Sequence, residues 1–412
     1  MNRKPYPEYK DSGVQWLGMV PAHWSVVRSD GIISSDRNQI QPEAFKSEEV
    51  FHYSIPAVQE NGTGQIEEGE SIASAKQQIT EKCLLVSKLN PRKATICIAA
   101  PKEMRTLCST EFVVLYAKKC DLQFLAYLTQ KELFRQQLDS KVQSVTRSHQ
   151  RAAPDDIYKF WAAWPSRNEQ NSIANFLDRE TGRIDTLLEK KRRLIALLKE
   201  KRTALISRTV TRGLPEAAAR EFGLEPHTRF KDSGIEWLGE VPAAWEVIPL
   251  RHAFLNQDYR RIPLAGIDRA DMEKKYPYYG ASGVIDLVED YIFDETLILV
   301  AEDGANLLSR STPLAFLATG KYWVNNHAHI LKPLSGDIGY WVGILQTFDY
   351  TPLITGAAQP KLTADRLGSI MLPKPPAADQ TAIATYLDRE TAKIDKLMEK
   401  IEAAIKRLQE YR

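Results

Sequence analysis

The sequence predicts a mixed α/β protein in which two α/β domains are carried by an antiparallel pair of long coiled-coil helices with pseudo-two-fold symmetry. Three observations predict this class: a repeated tryptophan-containing turn, a repeated helical segment, and two unlike inserts between the repeats. The 412 residues suffice for two to four domains, and the 43% hydrophobic and 26% charged content is ordinary for a globular chain.

The first repeat is the turn KDSGVQWLGMVPAHW, which recurs as KDSGIEWLGEVPAAW. Residues 9–27 and 230–248 are identical at 12 of 19 positions. Asp11 predicts the start of a short helical turn, and Gly18 predicts its left-handed end. We expect the large apolar side chains of both copies to clamp each insert onto an end of the helical pair. These side chains are Trp16, Leu17, Trp24, Trp237, Leu238 and Trp245.

The second repeat predicts a coiled coil. Residues 170–190 and 380–400 are identical at 13 of 21 positions. In both copies, apolar side chains recur at alternating spacings of four and three residues, which is the seam of a coiled coil. The residues predicted at the interface are Leu177, Ile184, Leu188, Ile195, Leu198, Leu387, Ile394, Met398, Ile401, Ile405 and Leu408.

The bounds of the two helices follow from capping signals. A capping-box pattern at Ser166 and the sequence Gly-Leu-Pro at 213–215 predict a first helix over 169–212, and the second is predicted over 378–412. An antiparallel pair is expected because a large insert separates the helices; two independent surface helices are the alternative. Lys191 and Arg202 lie on the first seam, and we expect them to face a partner or solvent.

The inserts, 28–165 and 249–372, show no alignable similarity, and both predict mixed α/β domains. Strands are expected at 82–89, 94–100, 111–118 and 323–333, and residues 291–304 are expected to form a strand, a turn and a second strand. Helices are expected at 121–140 and 337–348. The predicted domains are 1–165, a central helix at 166–212, a second domain at 213–372 and a C-terminal helix at 373–412.

Motifs for catalysis and metal binding are missing from the sequence. It has no GxxxxGK[ST] phosphate loop, no [N/D]PP[Y/F] methyltransferase motif and no GxSxG elbow. His327 and His329 would share one face of a strand, yet no metal site is predicted, since no ligand partner stands at a fixed spacing. Glu302 and Asp303 are interpreted as a solvated turn. These observations favour a scaffold with recognition domains over an enzyme.

Cysteine usage and hydropathy favour the cytoplasm. The four cysteines form no CxxC pair, so reduced and mostly buried thiols are expected. The N-terminal segment lacks the apolar core of a signal peptide, and no apolar run approaches the roughly 18 residues of a membrane span. Net charge is only +2, but residues 183–212 contain ten Lys/Arg and three Asp/Glu.

The entry to each long helix follows P-x-x-x-[E/D]-Q-x-x-I-x-x-[F/Y]-L-D, as PSRNEQNSIANFLD and PPAADQTAIATYLD. With the paired frames and unlike inserts, this closely resembles the specificity subunit of type I restriction–modification enzymes. In the second insert, YPYYGASGVIDLVEDYIFDETLILVAEDGAN, WVNNHAHIL and GAAQPKLTADRLGSIMLPKPP are similar to target-recognition domains of that family. The corresponding first segment, SVTRSHQRAAPDDIYKFWAAWPS, departs from the family's Q-x-x-[I/L] pattern.

The resemblance implies a non-catalytic DNA-binding subunit. Each target-recognition domain would read one half of a bipartite, asymmetric site in double-stranded DNA, and the helical pair would set the length of the unread spacer. Two modification subunits carrying S-adenosylmethionine would dock on the frame. Two restriction subunits would add ATP-driven translocation and cleavage. The partner subunits would bind the ATP and Mg²⁺, and no cofactor is expected on this chain.

Candidate DNA contacts are polar and basic residues of the inserts. Arg or Lys can discriminate guanine and Asn or Gln adenine, at about 1–3 kcal/mol for each contact. Gln359 and Lys361 are preferred, because they lie in a polar loop beside Gly356 at the family's contact position. The full set is Arg92, Lys93, Arg105, Arg147, Ser148, Arg151, Arg260, Arg261, Arg310, Gln359 and Lys361. The alternatives are a coiled-coil adaptor that binds only protein and a stand-alone enzyme such as a nuclease.

Overall fold

A computed structural model describes residues 5–90, 93–140, 151–356 and 359–412. The chain divides into two compact units, Met1–Asp185 and Thr186–Arg412. Both units mix helices with mainly antiparallel sheets, as the predicted fold class requires. None of the helices in the described ranges is both long and apolar enough to cross a membrane.

The first unit is built from short strands followed by helices. Its strands are β1 Tyr9–Asp11, β2 Met19–Pro21, β3 Ser25–Arg28, β4 Ser34–Ser35, β5 Gln39–Ile40, β6 Glu49–Tyr53, β7 Gln65–Glu68, β8 Lys76–Gln78, β9 Cys83–Ser87, β10 Ile96–Ala99, β11 Thr106–Ser109, β12 Phe112–Tyr116 and β13 Trp161–Trp164. Its helices are α1 Ile55–Asn61, α2 Leu122–Gln130, α3 Glu132–Ser140, α4 Pro154–Tyr158 and the first part of α5 Arg167–Arg212.

The second unit repeats this order. Its strands are β14 Phe230–Asp232, β15 Glu240–Pro242, β16 Glu246–Pro249, β17 Phe254–Asn256, β18 Tyr276–Gly280, β19 Gly283–Val288, β20 Phe293–Asp294, β21 Leu297–Ala301, β22 Ala315–Ala318, β23 Lys321–Val324, β24 Ala328–Pro333 and β25 Met371–Lys374. Its helices are α6 Glu216–Glu221, α7 Leu250–Ala253, α8 Gly266–Ala270, α9 Asn306–Ser309, α10 Ile338–Thr347, α11 Ala364–Gly368 and α12 Ala377–Tyr411.

The two inserts have the same sheet topology although their sequences do not align. One sheet has the order β10–β9–β12–β4 in the first unit and β22–β21–β24–β17 in the second. The other has the order β5–β8–β11–β6–β7, matched by β20–β23–β18–β19, with β5 as an additional edge strand. In both units the central pair of this second sheet, β6–β11 or β18–β23, is parallel. The inserts are therefore two versions of one fold.

The repeated turn lies within a hairpin and contains the short helical turn predicted after Asp11. Strands β1 and β2 pair, as do β14 and β15. Between β1 and β2, the Asp11 side chain accepts from Gly13 N, and one helical turn closes at Gly18. Gly18 and Gly239 both have φ of +61°, as the left-handed end requires. The hairpin forms because strands on both sides of the turn offer each other hydrogen bonds that a lone helical turn lacks.

The long helices match their predicted bounds closely, and α5, with 46 residues, is about 70 Å long. Within the second unit, Leu198 of α5 forms a buried cluster with Ile394 and Ile401 of α12, against which Ile195, Leu205, Met398 and Ile405 pack. Toward the end of α5, Val210 meets Leu387 near the start of α12, beside Gly343 of α10. The contacts run in opposite chain directions, so the pair is antiparallel.

Three local predictions are corrected. The predicted helix at 121–140 is two helices, α2 and α3, because the chain leaves helical geometry at Lys131. The predicted strand at 323–333 is split into β23 and β24, since residues 325–327 turn between two different sheets. Arg202, expected to face a partner or solvent, pairs with Asp395 of α12 at 3.0 Å.

A buried glutamine fixes each long helix to its insert. The side chain of Gln170 accepts from Asp121 N at the start of α2 and donates to Pro165 O at the end of β13. Gln380 makes the same two bonds, to Asp337 N and Pro375 O. One amide therefore satisfies backbone groups of two other segments, which explains the glutamine in both helix entries.

The thiols behave as predicted. All four cysteines are free and buried. Burial raises the pKa of the Cys83, Cys97 and Cys120 thiols to about 12, and it also raises the pKa of Cys108. The thiols therefore remain protonated and unreactive.

Candidate nucleic-acid interface

Each unit contains a strand-end turn that is hydrogen-bonded to a loop preceding a short helix. In the first unit, Lys88 N donates to Glu111 O at 2.9 Å, and Ala152 N donates to Lys88 O at 2.9 Å. In the second, Glu302 N donates to His327 O at 3.0 Å, and Leu362 N donates to Glu302 O at 2.7 Å. We call residues 88–90 and 93–94 with 151–153 the first loop pair, and residues 302–310 with 359–363 the second loop pair.

The two loop pairs also share an uncommon backbone conformation. Asn90 and Gly304, each two residues after the bonded turn residue, have φ of 47° and 95°. Ala94 and Arg310, with φ of 46° and 49°, lie later in the two turns. A left-handed conformation costs a residue with a Cβ about 1 kcal/mol or more, and such strain concentrates at functional sites. The equivalent conformations support one common task for the two loop pairs.

The first loop pair contains two of the predicted contacts. Lys93 is exposed, and its backbone N donates to Asn90 O at 2.8 Å. The Arg151 guanidinium is 61% exposed and lies 3.0 Å from Glu111. Arg105 lies apart from them, before β11, where it pairs with Glu48. The predicted contacts Arg92, Arg147 and Ser148 lie outside the described residues.

The second loop pair contains three further candidates. Gln359 is exposed, and Gly356 with φ of 85° precedes it. A Cβ at Gly356 would approach Gln359 O to 2.5 Å, so this loop requires glycine. Lys361 Nζ is 3.2 Å from Glu302 and 52% exposed. Arg310 donates to the carbonyl of Phe348.

Arg260 and Arg261 come from the turn after β17 and face opposite ways. The Arg260 guanidinium bonds Glu295 at 2.9 Å and stacks 4.2 Å from the Phe293 ring centroid. Arg261 is only 15% exposed and bonds Glu302 and the carbonyl of Ala328. The structure therefore brings Arg261 to the second loop pair and directs Arg260 away from it. Their role as DNA contacts stays a prediction.

Sequence reasoning missed the acidic residues that organise these cations. Glu302 was expected in a solvated turn, yet its side chain is 9% exposed and contacts both Arg261 and Lys361. Asp258 lies beside it and bonds His329 at 2.6 Å. One signal was available, because Glu302 directly follows the fully buried strand β21, and a carboxylate there requires cationic partners.

The carboxyl groups of this network have lowered pKa values. Burial alone would raise the pKa of Glu302, but hydrogen bonding to Arg261 and the charges of His329 and Arg261 outweigh it. Burial likewise opposes the lowered pKa of Asp258, which hydrogen bonding and charge from His329 together produce. Both groups are therefore ionised at neutral pH.

Asp258, Glu302 and His329 offer ligand atoms within 4.8 Å of one another, the closeness that a metal ion needs. The donor set does not suit a metal, because Arg261 already bonds Glu302 and lies 3.6 Å from Asp258. Both ring nitrogens of His329 are also engaged, by Asp258 and by the carbonyl of Leu362. The cluster is an ion-pair network.

Acid should weaken the second unit through this network. A carboxylate with a lowered folded-state pKa stabilises the fold above its unfolded pKa, and this stability is lost as pH falls through the folded pKa. Glu302→Gln is expected to lower the free energy of unfolding of the second unit by about 3 kcal/mol at neutral pH, because two cations lose their carboxylate partner. Urea unfolding at several pH values should show this difference shrinking in acid. A difference that is independent of pH, or equal to that of the more exposed control Glu295→Gln, would contradict the assignment.

Comparisons with known proteins agree with this architecture. Residues 245–407 match the family model for the type I restriction modification DNA specificity domain. A Haemophilus influenzae protein named as a type I restriction enzyme specificity subunit is 36% identical over 119 residues, which are 28% of this chain and 30% of that protein. The aligned region thus spans less than a third of the relative's length.

Solved structures share the fold over nearly the whole chain. A structure titled as the basis of complex assembly and conformational transition of the type I R-M system has a TM-score of 0.67. It is 16% identical and covers 95% of this chain and 96% of that chain. The HsdS subunit from Thermoanaerobacter tengcongensis has a TM-score of 0.51 and is 16% identical over 95% of this chain and 96% of that chain.

The fold and the loop pairs together describe two α/β units whose inserts have one topology, with antiparallel contacts between the two long helices in the second unit. Residues 245–407, which match the type I restriction modification DNA specificity domain, contain the whole second loop pair.

Proposed function

We propose that the chain is the non-catalytic subunit that gives a type I restriction–modification complex its DNA sequence specificity. Each unit would read one half of a bipartite, asymmetric site. The observation that carries this proposal is the family match at residues 245–407, because that segment contains the whole second loop pair. The first unit is included because its loop pair has the same backbone hydrogen bonds.

The proposal assigns roles along the chain. Residues 1–165 and 213–372 would be target-recognition domains with their frame segments, and residues 166–212 and 373–412 the frame helices. Two unlike domains can read an asymmetric sequence, whereas a symmetric dimer favours a palindrome. The shared topology supports this assignment, because two domains of one fold can present equivalent loops to two different half-sites.

Within each loop pair, exposed side chains would contact the DNA. Gln359 is suited to adenine, and Lys361 and Lys93 to guanine or phosphate. Arg151 could exchange its exposed ion pair with Glu111 for a phosphate, because an exposed pair is worth little in water. The remaining predicted contacts have the same proposed role, with Arg105 and Arg260 lying outside the loop pairs.

The helical pair of the second unit offers a surface for protein partners. Three exposed leucines, Leu194 and Leu197 of α5 and Leu397 of α12, lie outside the buried seam. Exposed leucines on a helical pair suit the docking of a further helix. We propose that modification subunits dock on the frame helices. The repeated frame supports two modification subunits, and two restriction subunits would complete the complex.

The chemistry would belong to these partners. The sequence contains none of the phosphate-loop, methyltransferase or hydrolase motifs sought. S-adenosylmethionine, ATP and Mg²⁺ would therefore be bound by the modification and restriction subunits, and the complex would act in the cytoplasm. This chain would contribute recognition and assembly.

Methylome sequencing tests the proposed function. A host that carries this chain and its modification subunit is expected to methylate adenines in one bipartite, asymmetric motif, and a host lacking only this chain should not. The absence of such a motif, together with no sequence-dependent gel shift of the assembled complex, would refute recognition. That result would favour the protein-only adaptor. DNA cleavage by the purified chain alone would instead favour a nuclease.

A further inference from the structure

The hairpin of β18 and β19 in the second unit contains a β-bulge. Tyr278 pairs with Asp286, but the next residue, Tyr279, pairs with Val284, so Ile285 is an extra residue on β19. A bulge re-aims the side chains beside it, and bulges are frequent next to functional sites. Ile285 is therefore displaced from the regular alternation of its strand.

The displaced side chain lies against a glycine. A Cβ at Gly280 would approach Ile285 Cδ1 to 3.0 Å and the side-chain nitrogen of Asn325 to 3.3 Å. Gly280 thus leaves the space in which the ends of both side chains lie. Ile285 nevertheless remains 51% exposed, so this contact leaves much of its apolar surface available to a partner.

Asn325 connects this end of the hairpin to the second loop pair. Its backbone N donates to Tyr279 O at 3.0 Å, and its side-chain oxygen accepts from His327 N at 2.8 Å. The carbonyl of His327 accepts in turn from Glu302 N, at 3.0 Å, and its ring lies 2.9 Å from Asp303. A continuous chain of hydrogen bonds therefore joins the hairpin to the second loop pair.

Strand directions place the bulge at the same edge. Strands β18 and β23 are parallel neighbours that pair through Tyr279 and Val324, so Gly280 and Asn325 follow their carboxyl ends side by side. The second loop pair begins directly after the carboxyl end of β21, at Ala301. Ile285 therefore lies beside the second loop pair and adds an apolar group to the same surface.

This apolar group complements the polar candidates of the second loop pair. Gln359 and Lys361 are exposed there and are suited to hydrogen bonds with base edges or phosphates. The major groove of DNA also presents one apolar group, the 5-methyl group of thymine, which such side chains do not read. An exposed isoleucine can contact this methyl group and remove it from water.

We propose that Ile285 is a specificity-determining residue that contacts the 5-methyl group of a thymine in the half-site read by the second unit. The inference rests on the proposed function and deepens it, because it names a chemical group that the second unit recognises. It requires at least one A·T pair in that half-site.

The first unit lacks the bulge in its corresponding hairpin. Strands β6 and β7 pair in unbroken register, from Glu49 with Glu68 to His52 with Gln65. Ile66 of β7 is also exposed, but it pairs directly with Phe51 and is not displaced. The contact through a displaced isoleucine is therefore expected in one half-site only.

Binding of the assembled complex to modified duplexes tests the contact. The duplex carries the motif found by methylome sequencing, and each thymine is replaced singly by deoxyuridine, which pairs with adenine equally but lacks the 5-methyl group. One replacement in the second unit's half-site is expected to weaken binding by the wild type about fourfold, the effect of exposing one methyl group.

Two variants connect this effect to the bulge. Ile285→Ala should bind the thymine duplex several-fold more weakly than the wild type, and the uracil replacement should have no further effect, because the methyl group has no partner left. The matched control is Leu287→Ala. Leu287 is an exposed apolar residue of the same strand, but it pairs in register with Pro277, so this variant should keep the wild-type difference.

Several results would overturn the inference while the complex still binds its motif specifically. They are a wild type that is insensitive to every single uracil, a uracil effect that persists in Ile285→Ala, and an effect that is lost instead in Leu308→Ala, which removes the exposed leucine of α9. Failure of Ile285→Ala to assemble with the modification subunit would assign Ile285 to a protein contact. Absence of specific binding by the wild-type complex would refute the proposed function and this inference together.

Discussion

Under the proposed function, exchange of residues 250–370 for the corresponding insert of a type I specificity subunit is expected to change one half of the recognised sequence completely and to leave the other half unchanged. The junctions lie just inside the ladder of β16 with β25, which ends at the pair Pro249–Met371. The frame can therefore stay intact, because Gln380 anchors the insert mainly through backbone atoms. Methylome sequencing of a host carrying the hybrid and the modification subunit measures both halves.

The expected loss of the original half-site is large. Each mismatched base pair costs about 1–3 kcal/mol, so a half-site of several bases is replaced outright rather than weakened. A reciprocal exchange of the first insert, 29–160, serves as the control and should alter the opposite half. If either hybrid altered both halves of the motif, independent recognition by the two units would be wrong.

Replacing Trp245 with alanine is expected to destabilise the second unit by about 3–5 kcal/mol, as large-to-small changes of buried tryptophan do. Trp245 is completely buried, and its indole N–H donates to Asp379 at 3.2 Å near the start of α12. It also packs edge-on against His227, with ring centroids 5.5 Å apart. Hydrogen exchange at increasing urea concentrations, followed on peptides from the second unit, measures the loss of stability in that unit.

The counterpart Trp24 is the matched control. It donates to Glu169 at 3.2 Å in the first unit, but its side chain is only half-buried. Trp24→Ala should therefore lower the free energy of unfolding by clearly less than Trp245→Ala does, because less apolar surface returns to water. Trp245→Phe should fall between, since it keeps most of the packing and loses the hydrogen bond. Equal losses of unfolding free energy in Trp24→Ala and Trp245→Ala would show that burial of the indole does not determine how much each tryptophan stabilises its unit.

The architecture was predictable where the sequence repeats itself. The seam spacing predicted α5 and α12, because a heptad pattern sustained over many turns has few alternatives. The capping signals predicted their ends to within two residues. The common topology of the two inserts was not predictable. Their strands are short, several with only two or three residues, and such segments are specified by sheet neighbours rather than by local pattern.

The candidate interface was predictable only in part. Gln359 and Lys361 could be selected because the second insert resembles a known family, and the structure places Lys361 and Arg261 on one carboxylate. That carboxylate is Glu302, whose position after a buried strand indicates pairing with cations, but the rest of its network could not be selected. Its neighbours Asp258 and His329 are more than 25 positions away on either side, so only the pairing of β21 with β24 brings them together.

In the two loop pairs, the loop supplies a cation at the same place, but the acid that it meets comes from different segments. Arg151 and Lys361 are equivalent, because they form the same backbone bridge, to Leu89 and to Asp303. Arg151 contacts Glu111 of the facing strand end, whereas Lys361 contacts Glu302 of the turn itself. A loop transplanted alone from the second unit to the first would thus exchange a carboxylate partner on the adjoining turn for one on a neighbouring strand end.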